Sequence, residues 1–118
     1  MIQSLIPIAL GGALGSVLRF LTVAAFGAPL ATLAVNVVGS FLMGAGFVLL
    51  AGRGSVAGPL LMTGVLGGFT TFSAFSLDTL KLWQSGQAVQ AAAYVAASVG
   101  LSLLAVAAGA AIARGAWV

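Results

Sequence analysis

Four apolar runs, at residues 5–26, 30–51, 59–83 and 88–113, fill a chain of 118 residues and leave only short turns between them. A helix needs roughly 20 residues to cross the hydrocarbon of a bilayer, so each run has the length of one crossing. Inside hydrocarbon the backbone must satisfy its own hydrogen bonds, which restricts such runs to helices. The expected fold is therefore an all-α membrane protein, a single transmembrane domain over residues 1–118 with four membrane helices. Composition agrees, because 62% hydrophobic and 4% charged residues, with a mean hydropathy of +1.26, leave too little polar surface to coat a soluble globule.

The turns between runs carry their own signals. Gly27-Ala28-Pro29 separates the first two runs, and Gly52-Arg53-Gly54-Ser55 closes the second. Pro59 stands at the start of the third, where a missing N–H costs nothing, and Gln84-Ser85-Gly86-Gln87 is the last turn. Arg114 and Trp117 are expected at the far interface. The first run reads as a retained span rather than a signal peptide, because no base precedes it and Arg19 lies within it.

The net charge of +3 comes from Arg19, Arg53, Lys81 and Arg114 against Asp78. These scattered bases make no nucleic-acid footprint. Cysteine and histidine are both missing, which removes disulfides, thiol and imidazole chemistry and the usual transition-metal ligands. No residue set supports enzymatic activity, and any bound ion must meet oxygen, amide or ring.

Bases near span ends favour the cytoplasmic side. With four spans, Arg53 and Arg114 share one side, while Lys81 and the late-lying Arg19 fall toward the other. A chain so balanced is expected to insert both ways up and to pair as an antiparallel homodimer. The alternative is a buried, uncounted Arg19 and a weak bias to one topology. Close helix packing is expected at Gly11 and Gly15, with Gly12 beside them, and at Gly39, Gly44 and Gly46.

The third run contains Gly67-Gly68-Phe69-Thr70-Thr71-Phe72-Ser73-Ala74-Phe75-Ser76, followed by the only acid, Asp78. Adjacent glycines weaken the helix and adjacent threonines offer competing hydroxyls, so a break is expected between Gly67 and Thr71. A break frees carbonyls that can hold a cation such as Na⁺; the other reading is a kinked helix whose hydroxyls bond back to their own turn. Phe72 and Phe75, three apart, face one side of any helix that resumes. They are either packing filler or a pair of rings whose positive edges face an anion.

Asn36, with Ser40 one turn further on, needs a partner in the second span. In the fourth, Tyr94, Ser98 and Ser102 recur at i, i+4 and i+8, which puts three hydroxyls in one stripe. The stripe reads as a lined path or as hydrogen-bonding glue between helices.

The G-G-x-T-T-F-S-x-F-S block at residues 67–76, Asn36 and the Tyr94/Ser98/Ser102 stripe together resemble the Fluc fluoride channels, the CrcB family. The likeness covers the whole chain. It implies a dual-topology antiparallel homodimer with two fluoride pores beside the interface, and a third helix broken near mid-membrane around a central structural Na⁺. The carbonyls of Gly67 and Thr70 would be its ligands. Phe72 and Phe75 would line the pores, Asn36 would donate near the pathway, and Ser98 and Ser102 would form a polar track with Tyr94. Arg19 would supply a positive field near a pore mouth, and Thr71 a further hydroxyl. Ala74 stands where the family often has threonine, which removes any role for a hydroxyl there.

The resemblance further implies a multi-pass protein of the cell inner membrane or plasma membrane that lets fluoride leave the cytoplasm passively. Two other classes compete with this reading. Small multidrug-resistance-type transporters share the length and span number, but their coupling rests on a membrane-embedded glutamate, and this chain has none. A non-conducting membrane assembly subunit would need no polar path.

Overall fold

The computed structural model describes the backbone of residues 1–117 and the side chains of residues 1–115; the expected interfacial anchoring by Trp117 lies outside the described side chains. Helix α1 spans Ile2–Phe26 and α2 spans Leu30–Leu49. A π-helical segment, Gly58–Leu66, runs directly into the short α3, Gly67–Phe69, and α4 follows at Phe72–Gln84. The last helix, α5, spans Ala88–Trp117. Four helical stretches are long and apolar enough to cross a membrane: Ile2–Phe26, Leu30–Leu49, Gly58–Gln84 and Ala88–Gly115. The longest dimension of the molecule, 49 Å, exceeds the roughly 40–45 Å of a bilayer with its headgroups.

The turns follow from local chemistry. Gly86 takes φ +81°, a left-handed conformation, and its N–H closes on the Trp83 carbonyl, so α5 returns after only three residues. The second helix stops at Leu49, short of the expected 51: the Leu50 N–H makes the last helical bond, to Gly46, and Gly52 then turns the chain with φ +71°.

Interhelical packing is arranged around backbone contact. Helix α1 lies against the π-helical segment, where a Cβ on Gly11 or Gly15 would meet the carbonyl oxygens of Leu60 or Val65. Helix α2 lies against α5 in the same manner, with Gly44 on the Val106 carbonyl and Gly109 on the Phe41 carbonyl. In lipid, where apolar side chains gain nothing by leaving the solvent, such close approach is the main source of helix–helix attraction. Of the expected packing glycines, Gly46 is looser, a Cβ there coming no nearer than 3.4 Å to the Met62 side chain, whereas the Gly12 backbone lies against Gly68, where a Cβ would come within 2.6 Å of the Gly12 carbonyl oxygen.

The π geometry is an element that the apolar pattern does not distinguish from α. In it the Gly67 N–H reaches the Met62 carbonyl, five residues back, and the segment lies so close to α1 that a Cβ at Gly64 would come within 3.0 Å of the Gly11 Cα. The interior proper is small, built from Ala31, Thr32, Val35, Phe75, Ala91, Tyr94 and Ser98 among few others, while large apolar side chains cover the outside. Such a surface fits a lipid solvent.

Candidate functional site

The residues around Thr70 and Thr71 set the geometry of the site. Both have extended backbone, with φ/ψ of −88°/156° and −154°/122°, between the helical Phe69 and Phe72. Thr70 ends α3 by directing its N–H and its hydroxyl to the Leu66 carbonyl, each at 3.0 Å. Thr71 starts α4 as an N-cap, its Oγ1 accepting the Ala74 N–H at 3.1 Å. Its own backbone is held across the chain by Asn36: Oδ1 accepts the Thr71 N–H at 2.8 Å and Nδ2 donates to the Thr71 carbonyl at 3.0 Å.

In a continuous helix the Thr71 N–H would bond to the Gly67 carbonyl and the Ala74 N–H to the Thr70 carbonyl. Asn36 and the Thr71 hydroxyl take those donors, so the Gly67 and Thr70 carbonyls are among those of residues 67–70 that lose their helical partners at the interruption. The Gly68 carbonyl receives the Arg19 Nε–H at 3.1 Å. No cluster of three or more His, Cys, Asp or Glu occurs among the described residues.

Beside this stretch lies an open-sided cleft of about 280 Å³. Asn36 and Ser40 from α2, Thr70 and Thr71, Phe72 and Phe75 from α4, and Ser98 and Ser102 from α5 line it, with Val99 and Leu103 as apolar wall. Seven of the ten expected site residues thus meet in one place: Asn36, Thr70, Thr71, Phe72, Phe75, Ser98 and Ser102. Ser98 is buried, at 5% exposure, and its Oγ has no hydrogen-bond partner among the described residues. Buried hydroxyls are nearly always paired, and this unpaired one belongs to a residue that lines the cleft.

The rings form a run that leads from the cleft into the interior. Phe72 and Phe75 lie 5.4 Å apart between centroids at 58°, and Phe75 and Tyr94 lie 5.3 Å apart at 50°. Tilted contacts of this kind set ring edges rather than faces toward a neighbour. Phe75 is buried whereas Phe72 is 76% exposed, so the run begins on the outer surface of the chain and ends inside it.

Three expected site residues stand apart from the cleft lining. Tyr94 packs its ring on Phe75, but its hydroxyl turns away to donate to Asp78 Oδ2 at 3.1 Å. Arg19 caps Gly68 from the opposite side, and Gly67 lies on the exposed surface. The reading from sequence missed Val99 and Leu103, which carry no polar signal; each follows a cleft serine by one position on α5. It also missed the pairing of Asn36 with the Thr71 backbone, which joins residues 35 apart.

Residues 6–110 match the family model described as CrcB-like protein, Camphor Resistance (CrcB). Among curated relatives, a protein named fluoride-specific ion channel FluC from Cereibacter sphaeroides is 58% identical over 121 residues, covering 98% of each chain. Proteins of the same name from Paracoccus denitrificans and Rhizobium etli are each 50% identical, over 119 and 123 residues, covering 96% and 97% of this chain and 96% and 98% of those proteins. With four membrane-capable helices and similarity along nearly its whole length, this multi-pass membrane chain belongs to the CrcB family.

Proposed function

We propose that the chain is one half of a fluoride-selective passive channel, an antiparallel homodimer with two pores that lets fluoride leave the cytoplasm across the inner or plasma membrane. The observation that carries this reading is the convergence on one cleft of Asn36, the Phe72/Phe75 pair and Ser98, whose buried hydroxyl has no partner among the described residues. The name of the relatives supports it independently.

Fluoride is small and tightly hydrated, so a path for it must replace water with compact donors. The cleft offers such donors. Asn36 spends one Nδ2 hydrogen on Thr71 and keeps the second, and the hydroxyls of Ser40, Ser98, Ser102 and Thr71 stand along the same wall. The positive edges of Phe72 and Phe75 continue the series without a formal charge that would trap the anion. Arg19 adds a fixed positive charge at the outer side of the break. The lone acid, Asp78, is engaged by Tyr94, so no carboxylate relay exists to couple transport to protons, and passive flow follows. This separates the chain from the glutamate-coupled multidrug transporters.

The open side of the cleft and the exposed Phe72 call for a second wall, which an inverted copy provides. The same copy doubles the freed carbonyls of Gly67 and Thr70 into a set of oxygens suited to Na⁺ on the dimer axis. Bound there, Na⁺ would supply a central positive charge that neutralises those carbonyl dipoles.

Because the chain contains no cysteine, inserted ones report orientation cleanly. Ser55→Cys and Ser85→Cys lie in loops on opposite sides of the bilayer. In a bacterium lacking its own fluoride exporter, either variant is expected to restore growth in fluoride, and both positions should react with a membrane-impermeant maleimide from outside. Labelling at one position only would refute dual insertion; failure to restore growth, with the protein present and folded in the membrane, would count against fluoride export.

A further inference from the structure

The Asn36 amide does for Thr71 what a neighbouring strand does for a β-residue: it accepts the N–H and donates to the carbonyl of one extended residue, at 2.8 and 3.0 Å. Two carbonyl oxygens, Asn36 Oδ1 and Gly67 O, therefore compete for a single N–H. If Thr71 bonds to Gly67, the helix closes and the Gly67 oxygen is consumed; when Thr71 bonds to Asn36, that oxygen is free.

The approach that permits this exchange is built into α2. Gly39, three residues after Asn36 and so on the same helix face, leaves room for Thr70, whose Cγ2 occupies the space a Cβ at position 39 would need. Holding Thr71 extended also turns its hydroxyl to the Ala74 N–H, which frees the Thr70 carbonyl. Both freed oxygens thus depend on the same contact, and the residue that makes it lines the cleft.

We infer that Asn36 is a positioning residue for cation binding: without touching the ion, it sets the affinity of the Gly67 and Thr70 carbonyls for Na⁺ and so links the occupancy of that site to the wall of the anion path. The inference rests on the sodium reading given above. In physical terms, a variant without the amide returns the Thr71 N–H to Gly67, and the cation must then break that bond before it can bind.

The test uses the purified full-length protein, with Na⁺ titrated against N-methylglucamine at constant ionic strength. Two readouts are taken, the thermal unfolding midpoint and direct binding of radioactive sodium, neither of which depends on fluoride flux. The wild type is expected to be stabilised saturably by Na⁺. Asn36→Leu, which keeps the branching of the side chain and removes both bonds, should raise the half-saturating Na⁺ concentration by about tenfold or more, the equivalent of one backbone hydrogen bond. Asn36→Gln, which keeps the amide but displaces it by a methylene, should also weaken binding and serves if the leucine variant does not fold. Gly100→Ala, whose Cβ would meet nothing within 4 Å, should leave Na⁺ affinity within about twofold, about 0.4 kcal/mol. A folded Asn36 variant with the wild-type Na⁺ midpoint overturns the inference and leaves the sodium reading standing. A wild type with no saturable response to Na⁺ overturns the sodium reading itself, and the inference with it.

Discussion

Gly109→Val is expected to abolish the folded protein. A Cβ at position 109 would fall on the Phe41 carbonyl oxygen and within 2.9 and 3.1 Å of the Phe41 carbon and the Ala45 nitrogen. The contact is reciprocal, for a Cβ on Gly44 would meet the Val106 carbonyl and come within 3.0 Å of the Ala110 nitrogen. Every one of these neighbours is helical backbone, which cannot rotate aside as a side chain does. The two helices must separate, and α2–α5 is the most extensive contact in the fold. Overpacking of a tight site costs about 1–3 kcal/mol and occasionally more, and rigid backbone on both sides puts this case at the upper end. A membrane bundle regains nothing from the hydrophobic effect when such a contact opens. The variant should be lost from the monodisperse peak on size-exclusion chromatography. Gly100→Ala, with nothing within 4 Å of its Cβ, should elute as the wild type does. A monodisperse, thermally stable Gly109→Val protein would contradict this account of the packing.

Ser98→Ala is expected to separate stability from function. The Ser98 hydroxyl is buried without a partner among the described residues, and an unsatisfied polar group of that kind costs about 1–3 kcal/mol. Removing it should leave the unfolding midpoint unchanged or higher. The same change removes a hydroxyl from a residue that lines the cleft together with the buried Phe75. Fluoride flux should fall about tenfold or more, which corresponds to roughly 1.4 kcal/mol of lost stabilisation for the ion on its way through. A stable variant with wild-type flux would remove Ser98 from the pathway.

Much of the architecture was legible because hydrocarbon imposes few options. The apolar runs mark the membrane-capable helices to within a few residues, and the glycine and proline turns mark where they stop. Polar residues in such runs stand out for the same reason, and most of those singled out do converge on one cleft. What was not legible is what depends on neighbours from other helices. The periodicity of α5 puts Tyr94 in line with Ser98 and Ser102, but it has no knowledge of Asp78, which draws the tyrosine hydroxyl to the next helix. Asn36 was expected to need a partner, but that partner, the Thr71 backbone, lies 35 residues away and offers no side-chain signal. The π geometry of Gly58–Leu66 was likewise invisible, since an apolar run reads the same whether its turns are α or π.

These features give a consistent physical picture of a narrow anion path. Extended backbone at Thr70 and Thr71 makes the cleft, Asn36 holds it open, and hydroxyls with ring edges furnish it. The measurement that tests this most directly is anion efflux from liposomes reconstituted with the purified protein, loaded in parallel with fluoride or chloride, with valinomycin added to dissipate the charge. The account predicts prompt fluoride release on addition of valinomycin while chloride stays inside. Retention of fluoride by a demonstrably folded dimer, or release of chloride as fast as fluoride, would contradict it.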